Sequence, residues 1–138
     1  MQTPQKEQNA KRFNPLPAPG DFVWCWFPYE DGERGPKARP ALVIGVFDHD
    51  HKVRVCYGTS QRTNELYPGE FALDPADDGF AVSGLGAATK FNLNKHFDLS
   101  FTEFWFKKHL GSSIEVPLPK LGALAASYYP VLVKALGK

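Results

Sequence analysis

A chain of 138 residues, 43% hydrophobic and 22% charged, is long enough to bury one real core and too short for a second catalytic domain. Sixteen Lys and Arg stand against fifteen Asp and Glu, which excludes a uniformly basic nucleic-acid binder and leaves room only for a local patch. No apolar run approaches the roughly 20 residues of a membrane helix, the first residues lack the apolar stretch of a secretory signal, and Cys25 and Cys56 give no disulfide framework, so the expectation is a reduced, cytoplasmic protein with no membrane partner.

Residues 1–19 are polar and hold four prolines. They read as a flexible N-terminal tail, because they offer too little apolar surface to offset the entropy of ordering them. The single domain then spans 20–138. Phe22 to Phe27 is apolar at every position and rich in aromatic residues, which predicts a strand covered on both faces, with Trp24 and Trp26 in the core and Pro28 as its stop. Residues 29–38, with two glycines, a proline and five charges, read as a loop long enough to be functional. Ala41 to Phe47 predicts a second buried strand, and Asp48-His49-Asp50-His51 its turn. From Lys52 to Tyr57 the pattern alternates, with Val53, Val55 and Tyr57 on one face, and the strand ends at Gly58-Thr59-Ser60.

Short β-like pieces follow around Phe71–Leu73 and Phe80–Val82, then two strands, Thr89–Leu93 and His96–Phe101. The Phe104-Trp105-Phe106 run is hard to bury whole and is expected at an interface. Beyond a Pro-broken connector at 111–120, Leu121, Leu124, Ala125, Tyr128, Leu132 and Leu136 recur at helical spacing, with Pro130 expected to kink or split that helix. The sum is a mainly β protein with a C-terminal α-helix, built as a small, strongly bent sheet or barrel.

Charge is segregated along this framework. Residues 34–62 carry six basic and two acidic residues, 63–89 carry five acids and no Lys or Arg, and 90–138 carry seven basic and three acidic residues. Two positive stretches thus flank a negative one, which ordinary loop solvation would also produce.

Gly20-Asp21-Phe22-Val23-Trp24, a Gly-rich polar loop and then Arg39-Pro40-Ala41-Leu42-Val43-Ile44 together resemble the MazF/PemK/Kid toxins of bacterial toxin–antitoxin pairs. Those proteins open on a G-D-[IV]-[VW] strand and follow a mobile loop with R-P-[AV]-[LV]-[VI]. Thr59-Ser60 matches their threonine/serine position, and Gly84-Leu85 with Thr89-Lys90-Phe91 is similar to their later G-L…[ST]-x-[VI] segment. The resemblance covers about residues 20–136. It implies an SH3-like barrel of the CcdB/MazF/Kid type with a C-terminal helix, a homodimer, and a cognate acidic antitoxin that would complement the positive stretches. It further implies either a metal-independent endoribonuclease acting on single-stranded mRNA without a cofactor, or a non-catalytic relative: a gyrase poison of the CcdB type or a partner-binding module of the same fold.

Metal-free RNA cleavage needs a base for the 2′-hydroxyl proton, a donor for the leaving 5′-oxygen and cations for the dianionic transition state. Arg39 suits the last two tasks, since a guanidinium forks onto two phosphate oxygens and Pro40 fixes its exit into a buried strand; pairing with a loop acid is the structural alternative. Thr59 and Ser60 offer hydroxyls to a phosphate or a 2′-OH, or simply make a strand-end turn. Glu30, Glu33, Arg34 and Lys37 in the loop are candidates to line an RNA groove. Some ribonuclease members carry an Arg-x-Asp acid–base pair where this chain has Lys90 and Asn92. Lys90 can neutralise phosphate, but Asn92 cannot take up a proton. The Asp48–His51 cluster has turn rather than metal-site spacing, so no metal is expected, and Cys25 and Cys56 read as core residues rather than nucleophiles.

Overall fold

The computed structural model describes residues 5–29, 33–108 and 118–137. Its centre is one antiparallel sheet built from β1 (Asp21–Pro28), β2 (Arg34–Phe47), β3 (Lys52–Thr59), β4 (Glu70–Leu73), β5 (Thr89–Ser100) and β6 (Lys120–Ala123). The order across the sheet is β4-β5-β3-β2-β1-β6. A four-residue helix, α1 (Gln5–Gln8), precedes the sheet and a seven-residue helix, α2 (Tyr129–Ala135), ends the chain. The mainly β architecture with a short C-terminal helix agrees with the toxin fold implied by the sequence.

Alternation along the strands feeds two cores on opposite faces. Val23, Cys25 and Phe27 of β1 join Ala41, Val43, Val53 and Val55 beneath Phe101, Trp105 and Phe106. Phe22, Leu42 and Cys56 point the other way, onto Phe71, Leu73, Phe91, Leu124 and Tyr128. Four breaks in register, in the β1–β2, β1–β6, β2–β3 and β3–β5 ladders, supply the local bends that a sheet of this size needs to curl.

Several expectations are corrected. Residues 5–19, expected as a tail, lie against the sheet. Phe13 is 5% exposed, its N–H donates to the Phe101 carbonyl at 3.0 Å, the buried His51 ring donates to the Phe13 carbonyl at 2.9 Å, and Trp105 Nε1 donates to Glu7 at 2.8 Å. Backbone pairing at Arg12–Thr102 and one well-placed Phe do the work that composition alone hides. Residues 34–38, expected in a loop, belong to β2 instead, because Gly35 lets β2 press against β1: a Cβ there would stand 2.8 Å from the Phe27 carbonyl oxygen.

Trp24 and Trp26 are half-buried rather than core, since Cys25 and Phe27 take the inward positions. Conversely Trp105 and Phe106, expected at an interface, are 5% and 1% exposed. Phe80–Val82 is not a strand; Ala81–Ser83 forms a 3₁₀ turn with Ser83 Oγ donating to the Phe80 carbonyl. The two strands expected over 89–101 are one continuous β5. The long C-terminal helix is instead β6, a 3₁₀ turn at Ala126–Tyr128 and α2. Pairing with β1 claims Lys120–Ala123, and Pro130 lies in the first turn of α2, where its missing N–H has no partner to lose.

Candidate nucleic-acid interface

Arg39 stands opposite Cys25 in the β1–β2 ladder. It therefore shares the face of Cys25, Phe27 and Ala41, in the first half of β2, just ahead of the buried run Ala41–Val43. Tyr57, paired with Ala41 across β2–β3, lies on the same face. Phe27 meets the Tyr57 ring edge-on at 5.0 Å and the Phe97 ring at 5.8 Å. These three aromatics, with Pro28, Tyr29, Gly35, Pro36, Lys37, Arg39 and Lys95, line an open groove of about 510 Å³.

The electrostatics are one-sided. Lys37, Arg39 and Lys95 face the groove and no carboxylate lines it among the described residues. The Arg39 guanidinium lies 5.9 Å from the centre of the Tyr57 ring, and Lys95 Nζ lies 4.3 Å from the same point. Neither cation, nor Lys37, has a hydrogen-bond or ion-pair partner among the described residues. Uncompensated cations over low-dielectric walls focus a positive potential, and aromatic faces offer stacking surface for unpaired bases.

The expected hydroxyls stand beside this groove, not in it. Continuing the Ala41–Tyr57 pairing by two residues sets Thr59 across from Arg39, although the ladder itself stops at Ala41. The strands can converge there because position 58 is glycine: a Cβ would lie 2.6 Å from the Pro40 carbonyl oxygen and 2.5 Å from the Phe91 ring. Thr59 is half-buried and its Oγ1 accepts the Gln61 N–H at 3.1 Å, whereas Ser60 is exposed.

Lys90 does not join the groove. It is 6% exposed, and its ammonium donates to the Glu65 carbonyl at 2.7 Å and to Glu70 at 3.1 Å. Its charge is consumed inside the fold. Arg34, expected in the loop, opens β2, donates to the Phe104 carbonyl at 3.1 Å and packs between the Trp26 and Phe104 rings. Glu33 is exposed at the end of the β1–β2 connection, its carbonyl accepting the Tyr29 N–H at 2.7 Å. Glu30 lies outside the described residues. Asn92 pairs with Tyr57 and with Glu70, and its Oδ1 accepts the Asn94 N–H at 2.9 Å.

Lys95 and Phe97 are the residues that sequence reading missed. The signal was there: Leu93-Asn94-Lys95 interrupts the alternation between two strand-like segments. That is what a bulge inside one strand looks like, as well as what a break between two strands looks like.

Other chemistry is accounted for. Burial pushes the Cys25 thiol well up from its ordinary value and the Cys56 thiol up to about 12, so neither is poised as a thiolate. Asp48–His51 is a turn, and among the described residues no group of three or more His, Cys, Asp or Glu is arranged to hold a metal. No helix among them is long and apolar enough to cross a membrane.

No curated protein matches the sequence. The family model of the PemK-like, MazF-like toxins of type II toxin–antitoxin systems does, over residues 18–113, a span that takes in β1 to β5 and every described residue of the groove. The chain belongs to that toxin family.

Proposed function

We propose that this toxin is a metal-independent endoribonuclease that cuts single-stranded mRNA by 2′-hydroxyl attack. The observation that carries the reading is Arg39: a guanidinium without a partner among the described residues, held in β2 next to the buried run Ala41–Val43 and lining an open groove that presents three cations and no described acid. In the reaction the 2′-oxygen bonds to phosphorus as the bond to the 5′-oxygen breaks. The 2′-hydroxyl proton passes to solvent and a proton arrives at the leaving oxygen, which leaves a 2′,3′-cyclic phosphate and a 5′-hydroxyl. Arg39 spans two phosphate oxygens and stabilises the dianion. Thr59 and Ser60, beside it across the strand ends, donate to the phosphate or orient the 2′-hydroxyl. Lys37 neutralises the flanking backbone.

The toxin acts in the cytoplasm as a homodimer, and an acidic antitoxin segment folds over the same positive groove to silence it, by charge complementarity. The test is cleavage of a single-stranded RNA in EDTA, with product ends analysed. The wild type is expected to give cyclic phosphate ends, and Arg39→Ala to lose about 10²–10³ in rate while keeping its fold. Growth inhibition with RNA left intact would overturn the nuclease reading in favour of a non-catalytic toxin.

A further inference from the structure

The β3–β5 ladder runs from Cys56–His96 directly to Tyr57–Asn92. Three residues of β5, Leu93, Asn94 and Lys95, are therefore extruded where β3 advances by a single step. The extrusion is fixed by its own bonds: Leu93 N–H donates to the Gly69 carbonyl at 2.8 Å, Asn94 N–H to Asn92 Oδ1 at 2.9 Å, and Asn94 Nδ2 to the Pro68 carbonyl at 3.4 Å. Bulges of this kind re-aim a side chain. Here the chain re-aimed is Lys95, whose Nζ comes to 4.3 Å from the Tyr57 ring centre.

Tyr57 thus has two cations over one ring, Arg39 from β2 and Lys95 from β5, and neither is neutralised by a carboxylate among the described residues. The ring quadrupole offsets part of their repulsion, and the remainder favours a bound anion. We infer that Lys95, aimed over Tyr57 by the three-residue bulge of β5, is a phosphate-binding residue of the groove that holds the RNA backbone beside Arg39. Asn92 is then a positioning residue: it stands where some family members have an acid, and it braces the bulge through Asn94.

The inference rests on the RNA reading of the groove, and the experiment separates the two. A single-stranded RNA carrying 2′-deoxy sugars, which cannot be cut by 2′-attack, is titrated by fluorescence anisotropy over a series of salt concentrations. Wild type, Lys95→Ala and Lys95→Arg are compared. For a single strand, each phosphate that the protein no longer neutralises lowers the slope of log affinity against log salt by about 0.7. That reduction is expected for Lys95→Ala, with the wild-type slope kept by Lys95→Arg. If the wild type binds and cuts RNA but Lys95→Ala keeps its slope, the assignment of Lys95 falls and the nuclease reading stands. A wild type that binds no RNA overturns both.

Discussion

Arg39 and Lys90 come from the two positive stretches of the sequence and share one face of the sheet. Lys90 pairs in register with Thr59, two residues along β3 from the Tyr57 ring that Arg39 overlies. Their fates differ because of one neighbouring strand. β4 brings Glu70, from the acidic stretch, against Lys90 at 3.1 Å with both side chains about one-tenth exposed or less. Nothing comparable reaches Arg39 among the described residues. A buried, paired cation is part of the scaffold, while an unpaired one at an open groove is available to a ligand. Charge counted along a sequence cannot separate the two.

The widest gap between these regions should appear in stability. Lys90→Ala leaves Glu70 buried without its counter-ion and is expected to lose about 3–5 kcal/mol in chemical denaturation. Lys90→Met combined with Glu70→Leu should recover most of that. Arg39→Ala breaks no pair and should stay within about 0.5 kcal/mol of wild type. Were Lys90→Ala to fold with full stability and lose RNA binding instead, Lys90 would belong with Arg39 and the contrast would collapse.

Next in size is the dependence on the fork rather than the charge. Arg39→Lys keeps a cation but cannot bridge two phosphate oxygens, so its cleavage rate should lie between those of wild type and Arg39→Ala. A rate equal to wild type would reduce Arg39 to a point charge and make the groove a generic anion site.

Gly58→Ala tests the backbone that places the strand ends side by side. The added Cβ meets the Pro40 carbonyl, which is backbone and cannot swing aside, and the Phe91 ring. Overpacking of this sort costs about 1–3 kcal/mol. Cleavage measured well below the melting temperature should fall as well, since Thr59 is pushed away from Arg39. A variant destabilised but fully active would show that Thr59 does not take part.

Much of this was legible beforehand, for definite reasons. β1, β2 and β3 announce themselves because β1 and β3 are buried at half or more of their positions and β2 carries the unbroken buried run Ala41–Val43, and the Arg39-Pro40 junction stands just ahead of that run. What escaped reading depends on partners distant in sequence. Glu70 reaches Lys90 from 20 residues away, and Glu7 reaches Trp105 from 98 residues away. Leu121, Leu124, Ala125, Tyr128 and Leu132 do face one core, as their helical spacing suggests, but a strand, a 3₁₀ turn and a short helix deliver them there in succession. Periodicity identified the buried face, except for Leu136, which is exposed, and it misassigned the element. Lys95 was hidden for a related reason, because a bulge changes which face a residue takes without changing composition.

The smallest effect concerns a cation that is exposed and yet paired. Arg54 donates Nε and Nη2 to the two oxygens of Asp98 at 2.7 and 2.9 Å, with both side chains about two-fifths exposed. If exposure alone made a cation available to RNA, Arg54 would rank with Lys37; if pairing decides, it should not. The pair also has a pH signature. The hydrogen bond from Arg54 holds the Asp98 carboxyl below its ordinary value of 3.8, so its contribution to stability is present above that value and disappears as the pH falls through the lowered one. Arg54→Ala should therefore sit slightly below wild type in melting temperature at neutral pH and converge with it in acid. It should also leave the salt slope of RNA binding unchanged, where Lys37→Ala reduces it. A reduced slope for Arg54→Ala would mean that RNA competes successfully for a surface ion pair, and that solvent access, not the lack of a partner, is what marks the cations this protein uses.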